Sequence, residues 1–181
     1  MLALTDEPSS TRSWARGSEG ERELAKALAD LTRVRLLNDR SVPGKRANID
    51  HLVIGPAGVF VVDAKLYAGP IRIRDVGGLL KRDERLFVGR RDCSHLADAM
   101  AWQIEAVRRA LEPIVPTAPL VPVLCFIRGD WPLFRPPRLF RGVHLEGTRS
   151  IRKLVVRDQL LDEATVDRIA RGLALSLPAK S

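Results

Sequence analysis

A chain of 181 residues, 45% hydrophobic and 29% charged, is long enough for one domain with its own core. Its two cysteines, Cys93 and Cys125, are too few for a disulfide framework, no apolar run approaches the ~20 residues that span a bilayer, and the opening MLALTDEPSSTRSWARG lacks the apolar centre of a signal peptide; the chain reads as soluble and cytoplasmic, with no membrane partner. A formal net charge of +8, with arginine the dominant base, favours a polyanionic partner such as nucleic acid, because the planar guanidinium suits phosphate and released counterions add to binding.

Residues 1–16 are polar and predict a loose arm. From Gly17 the pattern turns helical, with Leu24, Leu28 and Leu31 on one stripe and Glu21 at its edge. VRLLND is a short strand, and a turn around Pro43 and Gly44 leads into a hairpin within GKRANIDHLVIGPAGVFVVDAKLY, residues 44–67. PIRIRD alternates Ile71 and Ile73 with Arg72 and Arg74, as a half-exposed strand does, and ERLFVG suits another short strand. SHLADAMAWQIEAVRRALEP is a helix with Leu96, Met100, Ile104, Val107 and Leu111 at helical spacing, stopped by Pro113. APLVPVLCFIRG reads as a buried strand with Pro122 near its start. A Pro- and Arg-rich loop, DWPLFRPPRLFRG, then leads to GVHLEG, to a short helix capped by Thr148, and to a last helix with Val166, Ile169, Leu173 and Leu177 on one side. With no repeat and no clear linker, this order predicts a single α/β domain over residues 17–181, a central mixed sheet flanked by helices on both sides.

Asp50, Asp63 and Lys65 interrupt the most apolar part of the chain, and charge in such a run needs a partner. With GPAG, residues 55–58, as the loop, Ile54 pairs with Val59, Leu52 with Val61 and Asp50 with Asp63, since antiparallel pairing keeps the sum of the two numbers constant. Lys65 shares the face of Asp63, about 7 Å along the strand. Facing carboxylates repel unless a positive group or a shared proton lies between them. A divalent cation resolves the conflict: Mg²⁺ takes one or two carboxylates together with waters and phosphate oxygens. Glu21 supplies a third acid if its helix packs beside this end of the hairpin. Plainer arrangements stay open, namely an Asp63–Lys65 ion pair at a strand end with Asp50 capping a turn, or a one-residue slip that turns Asp50 to the other face. His51 alternates onto the opposite face and reads as packed or hydrogen-bonded, while Cys93, His95 and His144 lack the spacing of a zinc site. Trp102, Trp131 and Phe134 either stack on bases or fill a core or interface.

GSEGE before an Ala/Leu-rich helix, followed by NIDHLVIGPAGVFVVDAKLYAG, resembles the nuclease-related domain (NERD) family, a branch of the PD-(D/E)xK nuclease superfamily, over about residues 17–129. The resemblance implies a restriction-endonuclease-like core in which Glu21 is the acid of the first helix and Asp50 the acid of the second core strand. Asp63 with Lys65 is then the (D/E)xK pair, and Gln103 the glutamine on the helix after the sheet. The chain departs from relatives in carrying Asp63 where Glu is commoner, and Ala99-Met100 where Asn-Pro is expected before the glutamine. The implied function is a Mg²⁺- or Mn²⁺-dependent nuclease acting on DNA. Asp50, Asp63 and Glu21 would hold the metal, Lys65 would stabilise charge or position water, and Arg72, Arg74, Arg90 and Arg91 are candidates for contacts to the nucleic-acid backbone. The alternative is a catalytically silent nucleic-acid-binding or protein-interaction module that retains the fold, alone, as a homo-oligomer or with a partner protein.

Overall fold

A computed structural model describes residues 9–78 and 81–180. Helix α1 (Ser9–Leu28) is followed by strands β1 (Arg35–Ser41), β2 (Asn48–Gly55), β3 (Gly58–Lys65), β4 (Gly69–Asp75), β5 (Glu84–Val88) and β6 (Arg91–Asp92). Helix α2 (Ser94–Leu111) leads to strands β7 (Leu120–Phe126), β8 (Gly129–Asp130), β9 (Leu139–Phe140) and β10 (Val143–Glu146), then to helices α3 (Thr148–Leu154) and α4 (Glu163–Ser176).

Six strands form a mixed sheet in the order β1-β2-β3-β7-β10-β9. Its first three strands are antiparallel, and β3, β7 and β10 run parallel. Alternation along these strands feeds two apolar layers. Val53, Phe60, Val62 and Val123 join Leu24 and Leu28 of α1 and Ile151 and Leu154 of α3. Leu52, Val59, Val61 and Leu124 join Met100 and Val107 of α2 and Val166 and Leu173 of α4. The expected α/β architecture, a mixed sheet between helices, is therefore present.

Four features differ from the sequence reading. Helix α1 begins at Ser9, so residues 9–16 belong to it rather than to a loose arm, and residues 1–8 lie outside the described residues. A second, four-stranded sheet in the order β6-β5-β4-β8 stands beside the main one. Two of its strands are only two residues long, too short to carry any period. On α2 the inward stripe passes through Gln103, and Ile104 is only half-buried beside it. Thr148 is the first helical residue of α3, not its cap; Gly147 takes the cap position and its N–H donates to Ser150 Oγ at 3.0 Å.

The hairpin that carries the charges is anchored at its turn. Gly55 and Gly58 pair, leaving Pro56 and Ala57 as the loop. Gly58 has φ +137°, and a Cβ there would lie 2.7 Å from the Pro119 carbonyl oxygen, so only glycine fits. The turn is buried because its backbone groups are satisfied: Ala57 N–H donates to Val155 O, and Pro56 O accepts from Leu160 and Leu161 N–H at 2.9 Å each. Pro122 is tolerated in central β7 because pairing with β10 begins only at Val123.

Candidate active site

Strands β2 and β3 pair His51 with Val62, Leu52 with Val61 and Ile54 with Val59. Continued by one residue, this register sets Asp50 opposite Asp63, on the face of Leu52 and Val61, so the one-residue slip does not occur. Asp63 is 7% exposed and Asp50 half-buried. The ammonium of Lys65, two residues further along the same face, lies 2.6 Å from Asp63 Oδ1, off the line of an ideal hydrogen bond. Burial works against the Lys65 charge, but Asp63 and then Asp50 outweigh it and raise the pKa. For Asp50, burial comes first and the Asp63 charge second; Lys65 opposes them, and the carboxyl is still pushed up to about 7.

Glu21 reaches this end of the hairpin because α1 packs against β3, with Gly20 beside Leu66 and the Ala64 backbone. The Glu19 carboxylate beside it accepts from the Arg128 guanidinium, which ties α1 to the end of β7. Burial and the nearby Asp39 raise the pKa of Glu21, with Lys65 pulling it down. Glu21, Asp50, Lys65, Tyr67, Arg90 and Arg91 line one cleft of about 790 Å³. Arg91 stacks over Tyr67, 4.6 Å from the ring centroid. Tyr67 was given no role by the sequence; its place two residues beyond Lys65, on the same alternation, was the available signal.

The remaining expected residues sit on other elements of the fold. Gln103 is buried on the inward face of α2, its amide nitrogen 4.0 Å from Met100 Sδ and its Oε1 without a partner among the described residues. Arg72 and Arg74 sit on the outer face of the second sheet, opposite Phe87 and Arg85, with Arg74 stacked 5.5 Å over Phe87. His51 is fully buried on the α1/α3 face, its Nδ1 2.9 Å from Asn38 Oδ1. Burial pushes its pKa down to about 4, the neutral, packed histidine its alternation predicts. Cys93 and Cys125 are free and buried, and burial pushes the Cys125 thiol up to about 12. Trp102 and Trp131 are half-buried against the core, whereas Phe134 is exposed.

Among the described residues no three His, Cys, Asp or Glu side chains are gathered closely enough to form a complete cation cage. Glu21 borders the same cleft as Asp50 and Lys65. The aspartate pair itself suits a hard divalent ion, since a buried and a half-buried carboxylate face each other across the two strands with one lysine beside them. No helix among the described residues is long and apolar enough to cross a membrane.

A mixed sheet between helix layers is the architecture of a nuclease-like α/β core. The nuclease-related domain (NERD) profile matches residues 16–127, and the protein belongs to that family, within the PD-(D/E)xK nuclease superfamily. No curated protein and no solved structure matches the chain.

Proposed function

We propose that the protein is a divalent-metal-dependent nuclease that hydrolyses phosphodiester bonds in DNA at the cleft of Glu21, Asp50, Asp63 and Lys65. The observation that carries this reading is the Asp50 carboxyl held opposite Asp63, with Lys65 at 2.6 Å, on the wall of a cleft that Arg90 and Arg91 also line. Asp50 and Asp63 would hold Mg²⁺ or Mn²⁺ by hard oxygen atoms. When bound, the ion supplies Lewis acidity at the scissile phosphate and lowers the pKa of a water toward neutrality. Lys65, oriented by Asp63, presents an ammonium to the charge that develops on the phosphoryl oxygens. Glu21 at the rim accepts hydrogen bonds from water entering the site and orients it. Arg90 and Arg91 hold flanking phosphates, which positions the strand without reading its sequence. Arg72 and Arg74 extend the basic track on the outer face of the second sheet.

Supercoiled plasmid and DNA and RNA oligonucleotides, incubated with and without Mg²⁺ or Mn²⁺, test the reading. DNA cleavage is expected only with the ion, and is expected to vanish in Asp63→Ala and Lys65→Ala. Equal signals from the wild type and both variants would sink it. Nucleic acid bound in EDTA but never cut would mark the chain as a binding module that retains the fold.

A further inference from the structure

We propose that the loop over residues 131–138 is a wedge that enters the base stack of a duplex beside the cleft, so that the preferred substrate is a duplex with a weakened stack, such as a mismatch, nick or single-strand junction. The inference rests on the nuclease reading above for the place of the scissile phosphate.

Leu133 and Phe134, consecutive at the loop tip, are 94% and 88% exposed. Two adjacent large apolar side chains held in water are unfavourable until something covers them. The tip is not slack. Pro132, Pro136 and Pro137 around it are half-buried and fix their own φ, and Arg135 holds φ +46°, a left-handed conformation uncommon for a residue with a Cβ. At the foot, Trp131 packs on Gly147, where a Cβ would meet the indole nitrogen at 2.8 Å. Arg138 stacks 5.6 Å over Trp131 and pairs with Glu146 at 3.5 Å.

The foot of this loop stands on the edge of the fold that carries the cleft. Parallel pairing puts Lys65 level with Phe126, and Glu146 level with Cys125, so Gly147 is level with Lys65 two strands away. At ~4.8 Å per strand that separation is about 10 Å, some three base-pair steps at 3.4 Å each. Strand β8, which leads directly into the loop, pairs with Gly69 and Pro70, the residues that follow the cleft wall at Ala68.

Charge selects the occupant. Arg135 stands next to the apolar tip, and the adjoining cleft presents Arg90 and Arg91. Apolar side chains that part a base step, with arginine on the phosphates beside it, are a known way of kinking a duplex. Opening a step is easiest where pairing is already broken, hence the preference for mismatched, nicked or junction DNA.

The test is binding in EDTA to oligonucleotides carrying 2-aminopurine at successive steps around a mismatch or junction. Wild type is expected to raise the emission at one step, and Phe134→Trp to preserve the signal. The double variant Leu133→Ser/Phe134→Ser is expected to abolish the signal and to bind the mismatched duplex about tenfold more weakly. Its melting temperature and its affinity for fully paired duplex should stay unchanged. No emission change with wild type, or equal affinities of wild type and double variant for every duplex, would overturn the proposal. Tip-dependent capture by phosphatidylserine vesicles, with no tip dependence on DNA, would overturn it too. The assay needs no turnover. Tip-dependent unstacking without any cleavage would remove the nuclease reading and leave the wedge; cleavage at rates indifferent to tip and mismatch would do the reverse.

Discussion

Asp50 and His51 are neighbours in sequence on opposite faces of one strand, and the two faces treat a titratable side chain differently. His51 lies under α1 and α3, fully buried, with Nδ1 bonded to Asn38 and its pKa depressed to about 4. Asp50 lies on the other face, half-buried, opposite a second carboxylate, with its pKa raised to about 7. Burial drives both toward the neutral form. Only Asp50 faces a like charge directly across the strand pair and has an open cleft beside it. The difference separates a polar group accommodated by packing from one held in a conflict that a ligand can relieve.

The largest effect expected from breaking this contrast is on catalysis. Asp50→Asn removes the conflict while keeping the shape, and should lower the metal-dependent cleavage rate by about 10³-fold or more in a plasmid-nicking assay, with little change in fold by circular dichroism.

On the opposite face the effect is on stability. The folded pKa of His51 is below its unfolded value, so the unfolded chain binds the extra proton between pH 6.5 and about 4. Stability is thus full above about pH 6.5 and falls as the pH drops toward 4, by at most about 3 kcal/mol from this group. Urea denaturation at pH 7.5 and 4.5 should show His51→Leu losing less than the wild type, because Asn38 is exposed and can turn to water.

Cation linkage sharpens the comparison on the Asp50 side. A raised pKa means that the metal-free fold gains from the Asp50 proton at low pH and loses that gain as pH rises through about 7. An ion that binds the carboxylates must displace this proton, so Mn²⁺ should raise the melting temperature more at pH 8 than at pH 6. The shift should be about 2–4 °C for each kcal/mol of binding linkage, and should be absent in Asp50→Asn.

The smallest effect concerns the rim. Arg90→Ala or Arg91→Ala should each weaken DNA binding by about three- to tenfold regardless of sequence, and flatten the dependence of log K on log salt by about one unit.

The hairpin was legible because an antiparallel loop fixes its own register: once GPAG is the turn, Asp50 must face Asp63, and the pairing of Ile54 with Val59 bears that out. The helix stripes of α1 and α4 were legible for the same local reason, with Leu24 and Leu28 buried in one and Val166, Ile169 and Leu173 in the other. What the sequence left hidden depends on contacts between distant segments. The approach of α1 to β3, which delivers Glu21 to the cleft, is a packing event between helix and sheet. Strands β6 and β8 exist only because β5 and β4 offer them an edge. Gln103 displaced Ile104 from the inward stripe because the heptad-like spacing of Leu96, Met100, Val107 and Leu111 passes through position 103 as readily as 104.

The buried Pro56–Ala57 turn bears on how little of the chain can stand alone. Its backbone groups are met by Val155, Leu160 and Leu161, well beyond the stretch matched by the family profile. A fragment cut back to residues 16–127 would leave those groups orphaned at one end of β2 and β3 and strip β10 from β7. Strands of eight residues transmit such a loss over about 24 Å, so trimming a tail remote from the acids would loosen the grip on them.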